Sequence, residues 1–215
     1  MMAAVDEFDI TVKGKGGHAA MPQQAIDPVV IASQIVLAVQ TIVSRSTNPV
    51  DKALISITKI HGGTAYNVIE DTVTLSGTIR TFKPETRSFY EKRLGEISQG
   101  IAKANGAEAS IKFDLINKYP PTINHIKQSK FAAQVAKNMV GDENVNTDVN
   151  PSMGGEDFSY YLQKIPGCFF FVGSAPNKQK LFETPHHCSH FTMDEQALLV
   201  GPSIYLNLVD NILGN

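Results

Sequence analysis

The residues near the C-terminal end of the chain hold the greatest density of metal-binding side chains. His186, His187, Cys188 and His190 fall within five positions, and imidazole and thiolate are ligands that zinc and related metals prefer. Structural zinc sites usually draw their ligands from two separated pairs, and the sequence has no second pair. We therefore expect one of these histidines to act with ligands from elsewhere. A local metal site at 186–190 is the alternative.

A second candidate is a histidine in a glycine-rich loop. Gly16 and Gly17 precede His18, just before a predicted helix. Glycines let a ligand or a neighbouring backbone approach closely, so His18 is a candidate functional residue. The spacing alone slightly favours a surface loop with an incidental histidine.

A third candidate combines an amide with a cation. Asn67 lies in a predicted hairpin connection, and Arg80 lies near the end of the strand that follows. A guanidinium can donate two parallel hydrogen bonds to a carboxylate, so these residues predict a site for an acidic ligand group. Taken alone, Arg80 is better explained as a solvated residue of the hairpin.

A fourth candidate is the turn at Gly154 and Gly155, which is followed by the acidic residues Glu156 and Asp157. Acidic residues at a helix start complement the helix dipole, which is a purely structural explanation. The glycines could equally present backbone N–H groups to an oxyanion.

Alternation and helical spacing predict the elements that position these residues. Phe8, Ile10 and Val12 alternate with polar residues as in a half-buried strand. Further elements follow in the order β-α-β-β-α-β, which is the ferredoxin-like arrangement of a sheet with two helices on one face. We assign this domain to residues 6–117, with helices from Pro28 and Pro84.

The remaining residues, 118–215, predict helices near 127–140, 156–163 and 194–212 and an apolar strand at 168–172. Three consecutive phenylalanines without alternation indicate a strand buried on both faces of an α/β sheet. Such a strand needs neighbours, so we expect the segment to belong to a larger α/β domain whose other strands lie outside this chain. A small self-sufficient α/β domain is the alternative.

Composition narrows the function classes. The 215 residues are 42% hydrophobic and 19% charged with a net charge of -2, which is ordinary for a globular protein and gives no strong attraction to nucleic acid or anionic membranes. A ferredoxin-like RNA binder is disfavoured because neither a basic stripe nor an exposed aromatic pair is evident. We expect no membrane helix, since no apolar run approaches about 20 residues. Two cysteines favour a reducing compartment and a cytoplasmic protein.

Taken in order, the motifs resemble the metal-dependent amidohydrolases that include aminoacylase, hippurate hydrolase, indoleacetyl-amino-acid hydrolase and glutamate carboxypeptidase. The hippurate-hydrolase-like branch matches best, over essentially the whole chain. The resemblance rests on five segments: 14–22, 62–80, 119–121, 154–158 and 187–195.

The resemblance implies a ferredoxin-like lid at 6–117 that also forms a homodimer, followed by the C-terminal part of the catalytic α/β domain at 118–215. It implies that the N-terminal half of the catalytic domain, with the other metal ligands and the general base, is absent. Two divalent ions, zinc or manganese, cobalt or nickel, would serve the intact enzyme, and this chain alone is not expected to bind them stably.

The resemblance also assigns roles to residues. His187 is the metal ligand, because it lies four residues before Phe191 as in the family motif. Ser189 departs from the proline usual in that motif, and His186 is an adjacent competitor. His18 reaches across the dimer and stabilises the developing oxyanion. Asn67 and Arg80 hold the carboxylate of the substrate. Gly154 and Gly155 line the substrate pocket.

The implied reaction is hydrolysis of the amide bond of an N-acyl amino acid or a related peptide-like substrate. A metal-bound water would attack the amide carbonyl after a glutamate takes its proton. We expect this chain to be inactive alone. A non-catalytic dimerisation or binding module built on the lid is the alternative function.

Overall fold

The computed structural model describes residues 1–116, 118–176 and 187–214. The chain divides into two compact units, one formed by Met1–Ile123 with Pro151–Tyr160 and the other by Asn124–Asn150 with Tyr161–Asn215. The first unit thus takes in residues 118–123 and 151–160, which the predicted division into 6–117 and 118–215 leaves in the second. That division into a lid and a catalytic segment stays a prediction.

The first unit is built on a four-stranded antiparallel sheet. The long elements are β1 (Ala4–Lys13), α1 (Pro28–Thr41), β3 (Ala53–His61), β5 (Thr72–Thr81), α2 (Pro84–Ala104) and β6 (Glu108–Phe113), with two-residue strands β2 (Gly17–His18) and β4 (Val68–Ile69) between them. The sheet order is β3-β5-β1-β6. β1 is central because it pairs with β5 along its whole length and with β6 over Phe8–Phe113 to Lys13–Glu108. A mixed α/β protein with an antiparallel sheet is therefore confirmed.

One hydrophobic core lies between the sheet and the two long helices. Alternate residues of β1 and β5 enter it, as the period of two requires, and α1 and α2 each contribute one face. Its fully buried members include Ile10, Ile35, Leu75, Ile79 and Leu94.

Helix α1 begins where the sequence predicts. The Asp27 side chain accepts a hydrogen bond from Val29 N–H at 2.8 Å, and Pro28 occupies the first turn. Together with the π-helical turn Ile42–Ser46, α1 forms a 19-residue apolar helix that is long and apolar enough to cross a membrane. Our expectation that no apolar stretch approaches the length of a membrane helix was therefore wrong. The inner face of α1 is buried in the core of the first unit.

The second unit contains α3 (Ile126–Val140) and α5 (Ala197–Leu213), and the short helix α4 (Phe158–Leu162) lies where the two units meet in sequence. Helix α5 carries Pro202 in its interior. Much of its apolar surface is solvent-exposed; the exposed members are Leu198, Leu199, Tyr205, Leu206, Val209, Ile212 and Leu213.

The prediction of a strand at 168–172 is wrong. No strand is present there, and Phe171 is 65% exposed. Backbone hydrogen bonds are made instead to side chains: Asn124 exchanges two with Phe169, at 2.7 and 2.8 Å, and Gly167 N–H donates to His125 Nδ1 at 3.1 Å. The physical reason is that the described part of this unit offers no neighbouring strand for a ladder.

Candidate functional site

The His18 loop is fastened to the hairpin that carries Asn67. β2 pairs antiparallel with β4, so that His18 faces Val68 and Gly17 faces Ile69. One residue further on, Ala19 N–H donates to the carbonyl of Asn67 at 3.0 Å. The structure therefore brings together two residues that the sequence predicted separately, His18 and Asn67.

These two segments border a shallow, open pocket of about 460 Å³. The residues that line it are Gly16, Gly17, His18, Asn67, Val68, Ile69, Glu70 and Asp71. Sequence reasoning missed both acidic residues. Both lie in the connection just before β5, where the sequence has no pattern that singles them out.

The His18 ring has a defined orientation. Its Nδ1 accepts a hydrogen bond from Ala20 N–H at 3.0 Å. A neutral imidazole has one donor and one acceptor nitrogen, so the hydrogen-bond network assigns the proton of the neutral form to Nε2. Because His18 is exposed, Nε2–H is a donor that a bound ligand can use.

Arg80 lies at the other end of β5, opposite Val5 on β1 and Leu54 on β3. Burial lowers the pKa of Arg80, while the negative charges of Glu7 and Asp6 raise it. A guanidinium remains protonated despite such shifts. Within residues 1–116, 118–176 and 187–214, Arg80 forms no salt bridge, so its cation can serve a ligand carboxylate.

Gly155 lies against Arg80. A Cβ at this position would be 1.9 Å from Val5 Cγ2 and 3.3 Å from Arg80 Nη1. Only glycine fits so close a contact, and the loop is thereby held beside the guanidinium. The adjacent Gly154 has its N–H bonded to Ser152 Oγ at 3.0 Å and its carbonyl bonded to Ala3 N–H at 3.0 Å. The N–H of Gly154 is thus already used, which argues against its predicted role as an oxyanion donor.

Glu156 follows these glycines and has an altered acidity. Burial raises the pKa of its carboxyl, and the hydrogen bond and charge of Asp157 raise it further, against backbone hydrogen bonds that lower it. The backbone hydrogen bonds come from Asp157 and Phe158 at the start of α4, so the structural explanation of these acids as partners of a helix start still holds.

The predicted ligand-holding residues do not converge within one chain. His18 and Asn67 lie beyond the Thr72 end of β5, and Arg80 and Gly155 lie at its other end. Arg80 lies eight positions after Thr72 along the strand, which is roughly 26 Å at about 3.3 Å per residue. Asn67 and Arg80 of one chain cannot contact the same small substrate.

His187 lies in a turn and has a left-handed backbone conformation, with φ of 63°. Few non-glycine residues adopt this conformation, and they concentrate at functional sites. His186 lies outside the described residues. Among the residues that the structure describes, no group of three or more His, Cys, Asp or Glu side chains could hold a metal ion.

Comparisons with known proteins identify the family to which this fold belongs. The model of peptidase family M20/M25/M40 matches residues 8–211. The chain belongs to this family, whose members here are peptidases, amidohydrolases and deacetylases. This confirms the resemblance stated from the sequence.

Individual relatives support this assignment. The chain is 37% identical to N-acetylcysteine deacetylase of Bacillus subtilis over 213 residues, covering 99% of this chain and 53% of that protein. It is 36% identical to IAA-amino acid hydrolase ILR1-like 4 of Arabidopsis thaliana over 215 residues, covering 99% of this chain and 48% of that protein. The chain thus spans about half the length of the curated relatives it matches.

A solved structure with the same fold is that of Bacillus subtilis YXEP protein, a dinuclear metal-binding peptidase of the M20 family. It superposes on this chain with a TM-score of 0.70 and 31% sequence identity, covering 100% of this chain and 51% of that one.

Proposed function

We propose that this chain is the substrate-binding and dimer-forming part of a metal-dependent amidohydrolase that cleaves the amide bond of N-acyl amino acids. The observation that carries the proposal is the hydrogen-bonded pairing of the His18 loop with the Asn67 hairpin. The names of relatives support the substrate class, since N-acetylcysteine and indoleacetyl-amino acids are both N-acyl amino acids. Relatives of this kind do not favour the non-catalytic alternative.

Under this proposal the sheet with α1 and α2 is the ferredoxin-like lid, and two copies of the chain form each site. The support is geometric: the His18 end and the Arg80 end of β5 are about a strand length apart. A two-fold related partner could place its own His18 and Asn67 beside the Arg80 and Gly155 of the first copy.

The roles of the residues follow from their chemistry. His18 donates from Nε2–H to the carbonyl oxygen as negative charge develops on it, which stabilises the transition state more than the ground state. Arg80 binds the carboxylate of the amino acid, and Asn67 supplies an amide beside it. Gly155 lets the substrate and the guanidinium approach the loop closely.

The residues described do not by themselves fit a two-metal centre. A catalytic zinc usually has three protein ligands, whereas His187 is a single imidazole and no metal-binding group forms around it among the described residues. We propose His187 as one ligand of a centre completed by residues outside this chain. The bound ions, divalent in the family, would supply an activated water.

We also propose that the protein acts in the cytoplasm. Both cysteines, Cys168 and Cys188, are free, as expected for a protein that acts in the reducing cytoplasm.

The test uses the chain alone and a chimera. The chimera joins the portion of the Bacillus subtilis N-acetylcysteine deacetylase outside the matched residues to this chain. With zinc or manganese and N-acetyl or N-benzoyl amino acids, we expect no turnover from the chain alone and hydrolysis by the chimera. His18→Ala should lower kcat of the chimera by about 100- to 1000-fold, as removal of an oxyanion donor does.

His61→Ala is the matched control, because His61 is an exposed histidine at the end of β3, and it should leave kcat unchanged. Robust hydrolysis by the chain alone would refute its incompleteness. A chimera whose activity does not depend on His18 would contradict the role of the paired loops.

A further inference from the structure

Asp71 binds the His18 loop through both its backbone and its side chain. Its carbonyl oxygen accepts a hydrogen bond from Gly14 N–H at 2.8 Å, and its Oδ1 accepts one from Gly16 N–H at 2.7 Å. The second bond is to an ionised carboxylate, which makes it shorter and stronger than a neutral one. Asp71 thus contacts the loop on the N-terminal side of His18.

Besides Asp71, the segment that carries His18 is held by Ala19 N–H, which donates to the Asn67 carbonyl, and by Lys15, which exchanges two backbone hydrogen bonds with Ile26 at 2.9 Å. β2 and β4 have two residues each, so few ladder hydrogen bonds fix their register. A slip by one residue turns a side chain to the opposite face of a ladder. Gly16 fits closely here, since a Cβ would be 2.8 Å from the Ile69 carbonyl oxygen and 3.1 Å from Asp71 Oδ1. The register of β2 therefore depends on where Gly16 is held.

We propose that Asp71 is a positioning residue that sets the register of β2 against β4 and thereby the direction in which His18 presents Nε2–H. The catalytic consequence rests on the proposed function of His18. The positional claim concerns only the loop and can be tested without turnover.

The competing explanation is that Asp71 only stabilises its own turn. Asp side chains commonly bond backbone groups two residues away for that purpose. The bond from Gly16 to Asp71 instead joins residues 55 positions apart. It connects two loops rather than closing one, as a positioning residue must.

Nuclear magnetic resonance of the 215-residue chain tests the positional claim. Asp71→Ala removes the acceptor of Gly16 N–H, so exchange of that amide should be about 10- to 100-fold faster. The chemical shifts of the two imidazole nitrogens of neutral His18 should move from the values of the Nε2–H tautomer toward those of a mixture of the Nε2–H and Nδ1–H tautomers. Asp71→Asn keeps an acceptor oxygen and should restore both in part.

Asp9→Ala is the control, because Asp9 is an exposed carboxylate of β1, and it should change neither signal. Unchanged His18 nitrogen shifts in Asp71→Ala would overturn the proposal, even if exchange at Gly16 becomes faster, because Asp71 would then hold the loop without orienting the ring. A thermal melt of each variant checks that the sheet remains folded.

In the chimera, Asp71→Ala should lower kcat by up to about 100-fold through misplacement of His18, with KM little changed and partial recovery in Asp71→Asn. The loss should be smaller than that of His18→Ala. If the chimera has no His18-dependent hydrolysis, the proposed function fails, and the His18 nitrogen shifts still decide the role of Asp71.

Discussion

Gly155 shows how one missing methyl group shapes the Arg80 end of the sheet. Adding a Cβ would bring it to 1.9 Å from Val5 Cγ2, and the strand that carries Val5 is central. To relieve the contact, either the loop or the Val5 side chain must move. The position of the guanidinium relative to the loop therefore depends on this residue.

We expect Gly155→Ala to lower the free energy of unfolding by about 1–3 kcal/mol, the usual effect of overpacking. Gly100→Ala is the matched control: Gly100 lies in α2 with nothing within 4 Å of an added Cβ, so the change should raise stability by about 0.5–1 kcal/mol. Urea denaturation measures both. Equal effects of the same sign would contradict the steric explanation.

At this scale the sequence predicted the types of residue but not their neighbours. His18, Asn67 and Arg80 could be chosen because imidazole, amide and guanidinium side chains near glycines suggest a ligand. That His18 and Asn67 are adjacent, while Arg80 is distant, depends on two-residue strands that have no periodicity to detect. Asp71 was missed because its partner is far away in sequence.

At the scale of elements, a buried ion pair joins β1 to α2. Asp6 is only 1% exposed, and Arg87 donates from Nε and Nη2 to its two carboxylate oxygens at 2.7 Å each. Lys118 Nζ lies 3.5 Å from the same carboxylate and 2.8 Å from Glu91. The network fixes α2 over the end of β1 that lies beside Arg80.

Removing Arg87 should therefore be costly. Arg87→Ala leaves the Asp6 carboxylate buried without its main partner, and we expect a loss of about 3–5 kcal/mol in the free energy of unfolding. Arg93→Ala, which breaks the exposed pair with Glu96 on the same helix, should cost much less. Chemical denaturation of both variants at low and high salt makes the comparison. Similar losses in the two variants would argue against a structural role for the buried pair.

The long elements followed from the sequence because each carries a clear period over many residues. β1, β5 and α2 alternate or repeat on the side that enters the core, and caps at Asp27 and Gly106 mark helix ends. The hydrophobic periodicity of the individual strands does not predict their order in the sheet. At 168–172 the prediction failed because a strand also requires a partner strand. The described residues supply instead the Asn124 side chain, which bonds the backbone of Phe169, and His125, which bonds that of Gly167.

At the scale of the whole molecule, the length of β5 is the basis for the proposal that two chains make one site. Under the proposed function, each site takes His18 and Asn67 from one copy and Arg80 from the other. Two chains with defects at opposite ends of β5 can then complement each other.

Mixing inactive chimeras tests this arrangement. When His18→Ala and Arg80→Ala chains associate at random, half of the dimers are mixed and each mixed dimer has one intact site, so roughly a quarter of wild-type activity should return in a two-fold dimer. Mixing His18→Ala with Asn67→Ala is the control and should recover nothing, because both changes lie at the same end. No recovery in the first mixture would mean that each site is built from a single chain.

The exposed apolar face of α5 should affect how fast the protein is degraded in a cell. Leu199 and Leu206 are 66% and 70% exposed, and Ile212 is 62% exposed. Chaperones and proteases act on chains that display such surfaces. A copy in which this helix stays uncovered should be degraded sooner than one in which it is covered. A higher steady-state abundance of the protein would then indicate that the exposed face of α5 is buried against another surface.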